Sequence, residues 1–205
     1  MNLFPMFVKL EGKLVVVVGG GAVAEGKIEA LLSTGARVRV IAPQIRPQIA
    51  EWVRFSKVEW LPKEFAPGDL AGASLVVAAT SATGVNNAVF AEAEARNILC
   101  NAVDDIESCH FYYGAIVHRG DLQIAISTNG KSPALAQRIR KELEEEYPPE
   151  YGAWLEWLGA AREILRADSS DPEQTKGLLH QLATRECYDR FVEQTRNAGP
   201  RKEVA

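Results

Sequence analysis

The run LVVVVGGGAVAEGKIEALL, from Leu14 to Leu32, constrains what this chain can fold into more than any other stretch. Leu14 to Val18 is a continuous apolar segment, the pattern of a strand whose two faces are both covered by helices, as in a parallel sheet. Three glycines follow at once. Ala24, Ile28, Leu31 and Leu32 then fall at i, i+4, i+7 and i+8, which places them on one face of a helix. Gly35 is a stop signal, and Val38 to Ala42 is a second strand. A buried strand, a glycine turn, a helix and another strand make a βαβ unit, so the chain is expected to build an α/β sheet.

The turn has a chemistry of its own. Gly19, Gly21 and Ala24 spell G-x-G-x-x-A directly after the strand and at the mouth of the helix. The first glycine permits the tight turn, the second lets the backbone approach a pyrophosphate, and the small third residue lets helix and strand pack closely. The helix N-terminus adds unpaired N–H groups and the positive end of its dipole. This spacing, in this context, points to a bound dinucleotide. The alternative is a glycine-rich turn without a ligand. One expected part is missing: the acidic residue at the end of the second strand, which binds the ribose hydroxyls of NAD, is replaced by Ala42, Pro43 and Gln44. Gln44 or backbone groups substitute for it in one reading, and Arg46 receives a 2′-phosphate in the other, so the fingerprint leaves NAD and NADP both open.

The same rhythm continues. Pro47 to Trp52 suits a short helix, Val58 to Leu61 an edge strand, Leu75 to Ala79 a buried strand, Asn86 to Arg96 a helix and Ile98 to Val103 a further strand. Beyond Cys109 the pattern changes. Phe111 to His118 and Leu122 to Ser127 read as an antiparallel hairpin turning at Arg119, Gly120 and Asp121. Ser132 before Pro133 is a helix cap followed by a favoured first residue, for a helix running to about Glu146. Pro148 and Pro149 break it, and Trp154, Trp157, Leu158, Ala161 and Leu165 form an apolar stripe in a helical end reaching about Thr195. The expected fold is a Rossmann-type doubly wound parallel sheet over residues 1–109, a hairpin and helix over 110–147 and a small all-α region over 148–205.

Composition removes several classes of function. With 205 residues, 47% hydrophobic and 24% charged, the chain has the balance of a globular protein. Its longest uncharged stretch, Leu70 to Ala91, carries Ser74, Thr80, Ser81, Thr83, Asn86 and Asn87, which argues against a membrane span. The N-terminus lacks a basic leader and an apolar core, so a cytoplasmic protein is expected. Cys100, Cys109 and Cys187 form no C-x-x-C pair and read as reduced thiols, and Cys109 beside His110 lacks zinc-ligand spacing, so no resident metal is expected. A net charge of −4 is unsuited to coating nucleic acid. No tyrosine is followed four positions later by lysine, and there is neither a G-x-S-x-G elbow nor a P-loop, which removes short-chain dehydrogenases, α/β-hydrolases and P-loop enzymes.

Five segments together resemble the precorrin-2 dehydrogenase/sirohydrochlorin ferrochelatase family, the kind of domain found at the front of siroheme synthase. They are FPMFVKLEGKLVVVVGGGAVAEGK, VIAP at Val40 to Pro43, VVAATSATGVNNAVF, CNAVDD and LQIAISTNGKSPALAQRIR. The N-x-x-D at Asn101 to Asp104 and the T-x-G-x-S-P at Thr128 to Pro133 are the specific parts, and the likeness spans roughly Leu3 to Glu144. It implies NAD-dependent oxidation of precorrin-2 to sirohydrochlorin on the route to siroheme or cobalamin, with Fe²⁺ or Co²⁺ insertion as a second activity. NAD is favoured as cofactor because V-x-A-P is similar to what the family carries after its second strand. The implied cofactor residues are Gly19, Gly21, Ala22, Val23, Pro43 and Gln44, with Thr80 and Val103 at the ends of later strands.

Asp104 matches the family's functional aspartate and is the expected general base, its pKa raised by Asp105 beside it; a loop carboxylate capping a turn is the alternative. Precorrin-2 is a polycarboxylate, so Ser132, with Thr128, Asn129 and Lys131 around it, is expected to bind it. Arg138 is a further candidate, although Arg138 with Glu142 and Lys141 with Glu145 also fit a solvated charged helix face. Ser81 stands where the family has an acidic residue, and Gly114 where it has proline. The methyltransferase part of fused siroheme synthases is absent from these 205 residues, so another protein is expected to supply precorrin-2. A homodimer is expected from the hairpin and the Trp154/Trp157 stripe. A noncatalytic module that senses NAD is the alternative function.

Overall fold

The computed structural model describes residues 3–103, 105–168 and 171–197. The chain divides into two compact units, Met1–Tyr113 and Gly114–Ala205.

The first unit carries a five-stranded sheet in the order β3-β2-β1-β4-β5. Its strands are β1 (Leu14–Val18), β2 (Arg37–Ile41), β3 (Val58–Leu61), β4 (Leu75–Ala78) and β5 (Leu99–Ala102). Every neighbouring pair is parallel. The four valines of β1 explain why helices lie on both faces. Side chains alternate along a strand, so Val15 and Val17 pack with Ala24, Ile28 and Leu31 of α1 (Ala22–Leu32) and with Ile49 of α2 (Pro47–Arg54). Val16 and Val18 pack instead with Val89 and Ala93 of α3 (Thr83–Arg96) and with Leu70 and Ile98. Burying a valine side chain fully stabilises by about 1.5–3 kcal/mol, and none of these four is more than 1% exposed. The central strand therefore anchors both layers.

The second unit begins with a hairpin of β6 (Ala115–Arg119) and β7 (Leu122–Ile126), in which Arg119 pairs with Leu122 across the turn. Its first strand starts later than the expected Phe111. Phe111 belongs to the first unit, where it packs against the core on the α1 side and its carbonyl accepts a hydrogen bond from Asn101 Nδ2 at 2.9 Å. Gly114 has its α-carbon so near the Ile126 carbonyl that any Cβ would come closer than 3.0 Å. The Arg119 guanidinium donates to the carbonyls of Tyr147 (2.7 Å) and Glu144 (3.1 Å) at the end of α4 (Pro133–Glu146), which ties the hairpin to a helix C-terminus.

Among the described residues, helices α5 (Glu150–Asp168), α6 (Pro172–Leu182) and α7 (Arg185–Asn197) follow. Their core differs from the expected tryptophan stripe. Trp154 is buried, but Trp157 is 41% exposed. Tyr151 and Tyr188 take its place, stacked with ring centroids 4.2 Å apart, and Trp154 meets both edge-on. Tyrosine rings bury large apolar areas while keeping a polar tip, so hydrophobic periodicity alone undercounts them.

Candidate active site

The sheet order places a crevice in the first unit. From β1 the chain goes outward to β2 and β3 on one side, then returns to β4 and β5 on the other. The carboxyl ends of β1 and β4 flank this reversal, the place where open α/β sheets bind ligands.

The glycine turn is wedged into that point. Gly19 has φ +125°, a conformation that side chains rarely adopt, and a Cβ on it would come closer than 3.0 Å to the Ala79 carbonyl after β4. Its N–H donates to Ile41 O at 2.9 Å. Gly20 is equally confined on the other side, where a Cβ would overlap the Gln44 carbonyl, and its own carbonyl accepts from Arg46 N–H at 3.0 Å. Gly21 is the opposite case. It is the N-cap of α1, no side chain caps the helix, and a Cβ on it would meet nothing within 4 Å.

The first helical bond runs from Glu25 N–H to Gly21 O at 3.0 Å, so the amides of Ala22, Val23 and Ala24 precede it. Ala22 and Val23 are exposed. Uncapped amides, a positive helix end and open space before them fit a dinucleotide pyrophosphate. Gly21→Val is therefore expected to lower the thermal midpoint by only a few degrees, the cost of a poorer N-cap, and to weaken dinucleotide binding by at least about tenfold, read by calorimetric titration.

The remaining expected cofactor residues lie on the loops around this turn. Pro43 and Gln44 are exposed just beyond β2. Thr80, just beyond β4, is clamped by Asn86, whose Oδ1 accepts from the Thr80 N–H (3.3 Å) and hydroxyl (2.8 Å) and whose Nδ2 donates to Thr80 O (3.0 Å). The Thr80 hydroxyl is thus engaged in shaping its own loop. Asn86 is the residue that sequence reasoning missed, and a polar side chain on the apolar face of α3, only 8% exposed, is the signal that would have found it.

Beyond β5, Val103 N–H donates to Ala78 O at 2.9 Å. Asp104 lies outside the described residues. The chain after it folds back on β5: Asn101 bridges Cys109, Ala102 N–H donates to Ser108 O, and His110 N–H donates to Cys100 O. Asn101 Nδ2 reaches Phe111 O and the Cys109 sulfur. The His110 Nδ1 accepts from Cys100 N–H at 3.0 Å while its Nε2 contacts Glu94, which assigns the ring proton to Nε2. Asp105 caps the loop, accepting from the Glu107 and Ser108 amides. A hydrogen bond from the Ser108 side chain, helped by those two amides, holds its carboxyl below the usual carboxylate range against the opposing effect of desolvation. Asp105 is therefore a fixed negative charge at neutral pH. Burial pushes the Cys100 thiol up to about 12, reinforced by Cys109 and Glu94.

In the second unit, Thr128, Asn129, Lys131 and Ser132 share one tight turn. Asn129 and Gly130 have positive φ, the Thr128 hydroxyl accepts from Ser132 N–H at 3.2 Å, and Ser132 Oγ accepts from Leu135 N–H at 3.2 Å as the N-cap of α4. Arg138 pairs with Glu142 at 3.2 Å on an exposed helix face. Among the described residues, no group of three His, Cys, Asp or Glu side chains could hold a metal ion, and no helix is long and apolar enough to cross a membrane.

Comparison with known proteins bears on the same elements. Residues 6–115 match the family described as "Putative NAD(P)-binding", and residues 119–146 match "Sirohaem biosynthesis protein central". Siroheme synthase 3 of Aeromonas hydrophila is 42% identical over 167 residues, covering 82% of this chain and 36% of that protein. The siroheme synthase of Chromobacterium violaceum is 40% identical over 171 residues, covering 83% of this chain and 36% of its own. The chain thus spans about a third of the length of these relatives. The solved structure of SirC, a precorrin-2 dehydrogenase, superposes with a TM-score of 0.78 at 26% identity over 95% of this chain and 100% of that one.

Proposed function

The chain belongs to the NAD(P)-binding family of the siroheme synthases and precorrin-2 dehydrogenases, and from that premise we propose that it oxidises precorrin-2 to sirohydrochlorin with NAD⁺. The observation that carries the proposal is the uncapped start of α1 at the sheet's reversal point, with Gly21 open in front of it. NAD⁺ supplies the hydride acceptor. The amides of Ala22, Val23 and Ala24 bind its pyrophosphate, Pro43 and Gln44 border its adenosine side, and the loops at Thr80 and Val103 border its nicotinamide side.

Asp104 takes the proton that must leave when the substrate gives up a hydride, so it is assigned the general-base role. Asp105, held ionised by its Ser108 and Glu107 hydrogen bonds, is the next residue in the chain. The turn at Thr128, Asn129, Lys131 and Ser132 binds the substrate's carboxylates through its lysine and the start of α4. In this reading the chain works in the cytoplasm, residues 1–109 hold the cofactor, and residues 110–147 supply the substrate wall and the dimer contact. Among the described residues the hairpin pairs only its own two strands, which favours a homodimer; a monomeric mass by light scattering at micromolar concentration would contradict it.

Incubation with precorrin-2 and NAD⁺ tests the activity: the sirohydrochlorin spectrum should develop only with protein and NAD⁺ both present. Tight NAD⁺ binding with no spectral change would favour the sensor reading. Metal insertion is tested separately with sirohydrochlorin and Fe²⁺ or Co²⁺. Equal rates with and without protein would restrict the chain to dehydrogenation.

A further inference from the structure

We infer that Glu25 and Arg46 together decide which dinucleotide the glycine turn accepts, and that they select NAD against NADP. The inference rests on the cofactor reading above. Two kinds of residue ordinarily make this choice at the end of the second strand, an acidic side chain for the free ribose hydroxyls or an arginine for a 2′-phosphate. This chain has Ala42, Pro43 and Gln44 there, with no acid among them, and an arginine two residues later. Taken by itself, Arg46 would make this an NADP site.

The structure gives that arginine a partner. Arg46 is the N-cap of α2 and its N–H is bonded to the Gly20 carbonyl, so its backbone is fixed directly against the turn. Its Nε donates to Glu25 Oε2 at 3.0 Å. Glu25 stands in the first turn of α1, where the helix dipole favours a negative charge. The pair joins the first turn of α1 to the loop after β2, and it is partly open to solvent, with 51% of the arginine and 25% of the glutamate side chain exposed.

A ribose hydroxyl is neutral and meets this ion pair without penalty. A 2′-phosphate must either displace the carboxylate from the guanidinium or lie beside both, and in each case its negative charges face Glu25. Repulsion thus acts on one ligand and not on the other, which is how discrimination against a near-identical ligand is built. The acidic charge missing from the end of β2 is supplied from α1 instead. No pattern confined to the second strand would reveal it, because Glu25 lies on the other side of the turn, 21 residues from Arg46.

Calorimetric titration of the full chain with NAD⁺ and NADP⁺ tests this. The parent protein should prefer NAD⁺. Glu25→Gln should raise NADP⁺ affinity relative to NAD⁺ by about tenfold, as expected for removing one charge beside a phosphate near the surface. The double variant Glu25→Gln/Arg46→Gln should lose that gain, because the gain needs the freed guanidinium. An unchanged ratio in Glu25→Gln, or a parent protein that already prefers NADP⁺, would overturn the inference while leaving the dinucleotide site intact. A parent protein that binds neither nucleotide would overturn the cofactor reading itself.

Discussion

Replacing Gly20 by alanine is expected to destabilise the first unit by about 3 kcal/mol or more. The added methyl group would overlap the Gln44 carbonyl oxygen and sit 3.0 Å from the Ile45 α-carbon. Extra methyl groups in packed cores typically cost about 1–3 kcal/mol even where side chains can shift to make room. Here the nearest obstructing atom, the Gln44 carbonyl oxygen, is backbone, in a loop held in place because Arg46 N–H is bonded to the Gly20 carbonyl and Gly19 N–H to Ile41 O. A thermal melt followed by circular dichroism should show a midpoint lowered by roughly 10 °C or more. Gly21→Val is the internal control, since its side chain points into open space. A Gly20→Ala melt that coincides with the parent's would show that the turn is not wedged as described.

The second large effect concerns chemistry. Asp104→Ala is expected to lower kcat for precorrin-2 oxidation by a factor of about 10²–10⁴, the usual contribution of a positioned general base. NAD⁺ affinity should change far less, because the groups assigned to the pyrophosphate sit on α1. Val103 and Asp105 are both bonded to backbone carbonyls, those of Ala78 and Ala102, so the substitution is bordered by fixed residues at the end of β5. Steady-state kinetics beside NAD⁺ titration separates the two effects. A loss of less than about tenfold would move the base to another residue.

Much of this architecture was legible in the sequence because two periodicities coincide with two punctuation marks. Val15 to Val18 is apolar on both faces, and the structure splits it between two helix layers, Val15 and Val17 to one and Val16 and Val18 to the other. Gly19 and Gly21 mark the turn for different reasons that the spacing rule already contains. Gly20 does not appear in that rule, since the position is free in the motif; its confinement comes from Gln44, a contact between loops that a linear pattern does not encode.

The same limitation hides Asn86 and Glu25. Each acts on a residue in a separate loop, Thr80 or Arg46, and reads in sequence as an ordinary polar position of a helix. The helical end forms as its periodicity indicates, but the burial of its stripe differs at Trp157. Tryptophans carry the greatest weight in a hydrophobic stripe, but α5 buries Tyr151 and Trp154 and leaves Trp157 half open, because Tyr188 of α7 offers a flat ring to stack upon.

Hydride and proton are expected to leave one substrate molecule at one site. The most direct test is a stoichiometry: NADH and sirohydrochlorin measured together as precorrin-2 is consumed by excess protein with NAD⁺. Equal molar amounts should rise in step, and in Asp104→Ala both should form about 10²–10⁴-fold more slowly. Sirohydrochlorin forming at the same rate without NAD⁺, or NADH forming without sirohydrochlorin, would contradict it.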